Sequence, residues 1–435
     1  MATFLDAESA DFEENFTLLM RRSRQNFHDV DDTVAKIIAA VETRGDAALI
    51  DLTRQFDEFE ITAETIRVSE SEIEEAAATV SDSTRNSLAT AAQRIKDYHQ
   101  KQVPEDQKWY DDSGAMLGWR WTPLASAGLY VPGGSAAYPS SVLMNSIPAK
   151  VAGVERLVMV VPTPKGVINP TVMAAAKIVG IDEVYRVGGA QAIAALAFGT
   201  DIIRPIDKIV GPGNAFVAAA KRQVFGRVGI DLIAGPSEIL VIADHENNPE
   251  WIALDLLSQA EHDESAQAIL ITDSKEFGQA VSRAIDRNLP TLSRGKMART
   301  SWEDFGAIIF VQNLEAATEL SNRIAPEHLQ LCVANPEELA ARCRNAGAIF
   351  LDRWTPEAIG DYIAGSNHVL PTAGSARFSS GLSVLDFLKR TSVVRVSQES
   401  IQALGPIAMR LANAEGLEAH ELSVGARVQE LRRRN

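Results

Sequence analysis

LVMVVP (157–162), NPTVMAAAKIVG (169–180), VYRVGG (184–189), AQAIAALAFG (190–199), KIVGPGN (208–214), AFVAAAKRQVFG (215–226) and IDLIAGPSEILVIAD (230–244) succeed one another in a chain of 435 residues. Short β-branched runs, glycine turns and alanine-rich helical runs alternate here at the spacing of parallel βαβ units. The strands are continuous apolar runs, as they must be where helices cover both faces of a sheet. Downstream the pattern returns less regularly. Helix NPEWIALDLLSQAEHD (248–263) precedes strand QAILITD (267–273), and EFGQAVSRAIDRNL (276–289) precedes GAIIFVQ (306–312). A helical EAATELSNRIAPEHL (315–329) leads to LQLCVA (329–334), and PEELAARCRNA (336–346) to GAIFL (347–351). The reading is two α/β domains of similar plan. Upstream, residues 1 to about 30 form an acidic amphipathic opening, and VDDTVAKIIAAVETRGDAALIDLTRQFD (30–57) carries apolar residues three and four apart, as a helix does. SESEIEEAAATV (69–80) opens with Ser69 and Glu72 in capping-box spacing. Beyond Leu382 the chain reads as a helix-rich tail that begins as a linker, SVLDFLKRTSVVRVSQES (383–400).

The composition narrows the function. With 46% hydrophobic and 23% charged residues the chain is an ordinary globular protein. A net charge of −16 argues against a phosphate-backbone partner, which demands a basic stripe. The basic runs MRRSR (20–24) and LRRRN (431–435) are short and read as solvated helix ends. The chain has 2 cysteines, Cys332 and Cys343, too few for a disulfide framework or a four-thiolate metal site. The arginines flanking Cys343 would favour a thiolate, although a structural cysteine is the simpler reading. No run of 18 apolar residues and no basic-then-apolar opening is present, so the expected compartment is the cytoplasm.

Four of the 7 histidines sit in segments crowded with Gly, Pro, Asp or Glu; His28, His99 and His245 have ordinary surface-like surroundings. In SQAEHD (258–263), Gln259 and His262 share a helical face with Asp255 one turn earlier. Imidazole and side-chain oxygen together suit a borderline cation such as zinc, and a merely polar helix face suits the same letters. In APEHLQL (325–331), the adjacent Glu327 and His328 diverge on a helix, which fits a division of labour in proton transfer better than chelation. Pro326–Glu327 as a simple helix opening is the competing reading. GDYIAGSNHVLPT (360–372) implies a long turn holding polar groups on irregular backbone, functional or merely connecting. NAEGLEAHELS (413–423) resembles any surface helix end. KIVGPGNAF (208–216) offers half a dinucleotide fingerprint, with Phe216 where the third glycine belongs. GLYVPGGSAAYPSS (128–141) sets Gly133–Gly134 between Tyr130 and Tyr138, compatible with close backbone approach and ring stacking. Singly, these signals give a two-domain α/β enzyme with an option on a metal.

Jointly they resemble one family. GLYVPGGSAAYPSSVLMNSIPAKVAGV (128–154), RVGGAQAIAALAFGT (186–200), KIVGPGNAFV (208–217), IDLIAGPSEILVIAD (230–244), LLSQAEHD (256–263), NRIAPEHLQL (322–331), GDYIAGSNHVLPT (360–372) and GLEAHELSV (416–424) are similar, in this order, to signature blocks of histidinol dehydrogenases. The resemblance runs from GDAALIDLTRQFD (45–57) to the tail. It implies an α/β fold of two incomplete Rossmann-like domains with parallel-sheet cores plus small helical N- and C-terminal elements, which agrees with the missing glycine. The expected division is an N-terminal helical segment (1–30), a helical region packing with the second α/β domain (31–129), a first Rossmann-like domain (130–237), a second (238–381), and a tail (382–435) reaching the partner subunit of a homodimer. By the same resemblance Gln259, His262, Asp361 and His420 ligate Zn²⁺, one ion per subunit. Glu327 and His328 are the catalytic pair, Ser237, His368 and Glu415 contact substrate beside the ligands and His328, and Tyr130, Gln191 and Asn214 contact NAD⁺. The implied reaction takes L-histidinol to L-histidine through a retained L-histidinal with two NAD⁺, the last steps of histidine biosynthesis. One departure stands at Glu421, where a small residue is expected, and it bears on the packing of the tail.

A relative oxidising another alcohol, such as a sulfonated propanediol, is the nearest rival. Glu415 speaks against it, since a carboxylate suits an ammonium and repels a sulfonate. A catalytically dead binding homologue is the rival from another class; the presence of every expected ligand and both proton-transfer residues opposes it.

Overall fold

The computed structural model describes residues 2–22, 30–133, 138–181 and 183–434. Two compact units result: Met1–Gln102 with Ala125–Phe387, and Val103–Leu124 with Leu388–Asn435.

The larger unit contains two six-stranded sheets. In space the first runs Arg67–Val68, Glu183–Tyr185, Arg156–Val160, Ser126–Tyr130, Lys208–Val210 and Gly229–Ile230. All neighbours pair in parallel except the edge strand Arg67–Val68. The second runs Thr3–Asp6, Ala307–Phe310, Gln267–Thr272, Glu238–Ala243, His328–Cys332 and Ala348–Leu351, parallel throughout. After an edge strand laid down early in the chain, each sheet continues in its middle, grows outward on one side and then returns to the other. The order therefore reverses between Ser126–Tyr130 and Lys208–Val210 in one sheet, and between Glu238–Ala243 and His328–Cys332 in the other. Loops diverge at such reversals and leave a crevice.

Strand Glu238–Ala243 shows why the runs are continuously apolar. Its alternate residues Ile239, Val241 and Ala243 join the core beneath helix Pro249–Ala260. Leu240 and Ile242 point the opposite way, into the core under helix Leu314–Ile324 and Phe12, Phe16 and Leu19 of the first helix. Both faces are dry, so the period-2 pattern carries no polar letter. Leu240 is fully buried. Leu240→Ala is expected to cost about 2–5 kcal/mol of stability, the range for emptying a well-packed leucine site; urea unfolding checks this, and a loss under about 1 kcal/mol would mean that the sheet centre collapses to fill the space.

Three sequence expectations need correction. The opening segment is not wholly helical: Thr3–Asp6 is an edge strand paired with Ala307–Phe310, and among its described residues only Phe12–Arg22 is helix. Residues 31–129, expected to pack with the second α/β domain, meet it through Arg94, which donates to the Ile363 and Ala364 carbonyl oxygens, but their first helices lie on the first domain. Helices Asp31–Arg44 and Asp46–Asp57 place Val34, Ile37, Val41, Ala48 and Leu49 against the alanine-rich helices Gly189–Phe198 and Ala215–Val224 of the first sheet. Small side chains there let the helices approach closely. The linker after Leu382 contains a strand, Leu388–Arg395. In the smaller unit it forms an antiparallel sheet with Met116–Pro123 and Gln107–Tyr110, followed by the mutually packed helices Gln398–Ala414 and Glu418–Arg434.

The predicted capping box forms: the Glu72 N–H donates to Ser69 Oγ at 3.2 Å, and the Ser69 N–H to Glu72 Oε2 at 2.9 Å. Both cysteines are buried and free, and burial raises both thiol pKa values, that of Cys332 to about 12. The structural reading of Cys343 therefore stands over the thiolate. No helix among the described residues is long and apolar enough to cross a membrane.

Candidate active site

A cavity of about 670 Å³ opens in the larger unit between the carboxyl edge of the first sheet and the amino edge of the second. Pro132, Gly133, Pro212, Gly213 and Asn214 come from the first edge; Ser237, Glu327 and His328 come from the second. A Cβ at Gly133 would fall 2.6 Å from the Pro162 carbonyl oxygen, so only glycine fits that close approach. The remainder of the Tyr130–Tyr138 loop, including Gly134, lies outside the described residues, as does His28.

The Glu327–His328 pair does not lie on a helix. Helix Leu314–Ile324 ends at Ala325, whose φ of 53° is left-handed and costs a non-glycine residue about 1–2 kcal/mol. The chain then turns through Pro326 and Glu327, and His328 is the first residue of its strand. Strand register sets Ile239 opposite His328, which brings the Glu238 peptide alongside. The Glu238 N–H donates to Glu327 Oε2 at 2.8 Å, and the Glu238 carbonyl oxygen lies 3.0 Å from His328 Nδ1. A carbonyl only accepts, so Nδ1 carries a proton, and in the neutral ring the lone pair falls on Nε2. Nε2 is buried without a hydrogen-bond partner among the described residues, and Asp361 Oδ1 lies 3.5 Å from it, too far for a strong bond. One backbone residue thus aims both groups.

Three carboxylates surround that imidazole. Glu327 Oε2 lies 3.7 Å and Glu357 Oε1 3.8 Å from Nδ1. Burial opposes charge on His328, but Glu357, Glu327 and Asp361 overcome it and raise its pKa well above the ordinary value. Burial pushes the carboxyls of Glu327 and Glu357 each up to about 8, against the pull of His328. The cluster shares its protons and titrates as a unit. Behind it, the Glu357 N–H donates to Gln330 Oε1 at 3.4 Å, and Gln330 Nε2 donates to Asp255 Oδ2 at 2.7 Å. Asp255, expected to share a face with Gln259, instead belongs to this chain, and burial moves it up to about 6. Glu357 escaped the sequence reading, although it stands four residues before Asp361 and so on the same helical face.

Gln259 occupies the last turn of helix Pro249–Ala260, and His262 follows its C-cap. Gln259 is fully buried, with Nε2 3.3 Å from His262 Nδ1 and Oε1 lacking a hydrogen-bond partner among the described residues. Burial lowers the His262 pKa and leaves the imidazole neutral, the form that ligates. Burial also works against charge on Asp361, yet His328, His368 and His262 hold its carboxyl below the ordinary value. A neutral imidazole, an ionised carboxylate and a buried amide oxygen in want of a partner are a donor set that fits zinc. A second grouping, His328, Glu357 and Asp361, also brings three possible ligand atoms within 4.8 Å of one another. Asp361 belongs to both; the unsatisfied Gln259 oxygen favours the first.

His368 lines the same cavity, its Nδ1 3.1 Å from the Asp361 carbonyl oxygen and its Nε2 3.4 Å from Ser141 Oγ. The cavity therefore gathers Ser237, His262, Glu327, His328, Asp361 and His368, with Gln259 beside His262. Glu415 and His420 belong to the smaller unit and are exposed there. Glu421 has a local partner in that unit, accepting from Asn413 Nδ2 at 2.9 Å. Among the residues expected to meet NAD⁺, Asn214 lines the cavity and caps helix Ala215–Val224. Gln191 is buried in the first turn of helix Gly189–Phe198. Tyr130 is buried too, its hydroxyl accepting from the Gly189 N–H at 3.1 Å, where an anion would meet that helix end.

Residues 20–428 match the histidinol dehydrogenase family. Histidinol dehydrogenase of Ruegeria pomeroyi is 63% identical over 99% of this chain and 100% of its own length. That of Cereibacter sphaeroides is 63% identical over 99% of each. The crystal structure of histidinol dehydrogenase from Elizabethkingia anophelis shares 37% identity and superposes with a TM-score of 0.94, covering 99% of both chains. With that much of its length matched and an α/β fold of the same kind, the chain belongs to the histidinol dehydrogenase family.

Proposed function

We propose that this chain oxidises L-histidinol to L-histidine in two successive two-electron steps, retaining L-histidinal in the cavity between them. The observation that carries the reading is the single Glu238 peptide holding a base and a carboxyl side by side, next to a donor set fit for zinc.

Gln259, His262 and Asp361 would hold Zn²⁺, with His420 of a partner copy as the fourth ligand. Bound there, zinc would supply a positive charge that holds and orients the substrate beside the Asp361 carboxylate. Asn214, Gln191 and Tyr130 would hold NAD⁺, which would supply the hydride acceptor for each of the two oxidations. The chain's own groups move the protons. His328 Nε2 takes the hydroxyl proton as the alcohol becomes an aldehyde. Glu327 takes a proton from water as that water adds to the aldehyde carbon, while His328 returns its proton to the aldehyde oxygen and is neutral again. His328 then takes a hydroxyl proton of the hydrated aldehyde, giving the carboxylic acid. Ser237 and His368 orient the substrate, and Glu415, from the partner, faces its ammonium. Retaining the aldehyde keeps a reactive amino aldehyde out of water. The protein acts as a homodimer in the cytoplasm.

The test is NADH formation at 340 nm from L-histidinol, with and without a zinc chelator. Turnover that falls by about 10²-fold or more on chelation and returns with zinc supports the reading. Undiminished turnover in fully zinc-depleted protein contradicts the metal assignment, and no turnover with histidinol in zinc-loaded protein contradicts the substrate.

A further inference from the structure

Lys221 is fully buried, six residues into helix Ala215–Val224, with Asp231 equally buried just beyond strand Gly229–Ile230. Lysine and aspartate are almost never sequestered without a purpose that offsets their desolvation. Their bonds show where this pair acts. Lys221 Nζ donates to Asp231 Oδ1 and to the Gly211 carbonyl oxygen, the latter at 2.9 Å. The Gly211 N–H in turn donates to Asp231 Oδ2 at 2.8 Å. Both polar groups of Gly211 are thus consumed by one ion pair.

Gly211 needs such a clamp. Its φ is +113°, and a Cβ would fall 2.2 Å from the Tyr130 carbonyl oxygen, so the backbone here is pressed against the neighbouring strand end in a conformation open to glycine. The residues that follow, Pro212, Gly213 and Asn214, line the cavity at the carboxyl edge of the first sheet. The lining segment after Asp231 has a separate anchor, the Gly235 N–H donating to Thr372 Oγ1 at 2.5 Å.

We propose that Lys221 and Asp231 are a positioning pair for the cofactor-facing loop 211–214: they touch neither substrate nor cofactor, and they fix the loop against which NAD⁺ binds. The inference rests on the cofactor side assigned under Proposed function. It separates the two sides of the cavity, since the ion pair holds the first-sheet loop, whereas Glu327, His328 and the zinc donors are held by the second sheet.

The experiment compares wild-type protein with Lys221→Met/Asp231→Leu, which replaces the pair by apolar groups and leaves no buried charge unpaired. Unfolding midpoint, zinc content, kcat and the two KM values are read together. A folded, zinc-loaded double variant is expected to raise KM for NAD⁺ by about tenfold or more, with kcat at saturating NAD⁺ and KM for histidinol within about twofold of wild type. An unchanged KM for NAD⁺, or parallel changes in both KM values and kcat, overturns the proposal. Asp231→Asn, nearly isosteric, carries the test if the double variant does not fold: a selective rise of about threefold or more in KM for NAD⁺ supports the pair, and no rise overturns it. Failure of wild-type protein to reduce NAD⁺ with histidinol would overturn the functional reading itself, a separate outcome visible before any variant is made.

Discussion

His328→Asn is expected to lower kcat with histidinol by about 10³-fold or more, within the range that a positioned general base contributes, while zinc content stays at the wild-type level. The expectation follows from the geometry of one ring. In the neutral ring, donation from Nδ1 to the Glu238 carbonyl leaves the lone pair on Nε2, and that atom has no hydrogen-bond partner among the described residues. Asparagine keeps a donor for the carbonyl but offers no base at the Nε2 position. Both half-reactions lose the same proton acceptor, so oxidation of supplied histidinal should fall alongside oxidation of histidinol. Zinc content discriminates between the two possible metal groupings. Loss of zinc in His328→Asn would point to His328, Glu357 and Asp361 as the ligands and would remove His328 from the role of base.

Glu327→Gln should divide the two steps. The first oxidation needs no water, so histidinol to histidinal is expected within about threefold of wild type, whereas histidinal oxidation slows by about 10²-fold or more. In pre-steady-state traces this appears as one rapid NADH per site followed by a slow second phase. The pH dependence follows from the same burial. Burial pushes the Glu327 carboxyl up to about 8. The base is the ionised form, so the histidinal half-reaction should climb as pH rises through that value and level off above it. Glutamine cannot ionise, so the variant should lose the climb. Equal slowing of both half-reactions would overturn this division of labour, and so would a wild-type profile that falls through pH 8.

Much of this arrangement was legible in the letters because of how the larger unit is built. Sheets covered on both faces leave unbroken apolar runs such as ILVIA (239–243), and helices between them leave alanine and glycine punctuation. What was hidden depends on pairing between distant segments. TFLD (3–6) has no strand signal of its own and becomes a strand through Ala307–Phe310. Leu388–Arg395 is largely exposed and read as linker, since its partner, Met116–Pro123, lies far away in sequence. At the site, the residue types were legible and the local backbone was not. Nothing in APEHL announces that Ala325 takes a left-handed conformation, yet that turn makes His328 a strand residue and sets it beside Glu238. Glu357 stayed hidden because its helix, Glu357–Tyr362, is only 6 residues long, too short for a periodic signal. The buried pair Lys221–Asp231 was hidden for the opposite reason: each residue is ordinary in its segment, and only the fold reveals that both meet Gly211.

The central claim is that one cavity carries an alcohol through to an acid without releasing the aldehyde. The most direct measurement is NADH formed per L-histidinol consumed, with an aldehyde trap such as semicarbazide in the solution. Two NADH per histidinol, L-histidine as the product, and no trapped histidinal are expected. One NADH per histidinol with the trapped aldehyde accumulating would contradict it, because the chain would then perform a single oxidation and release its product.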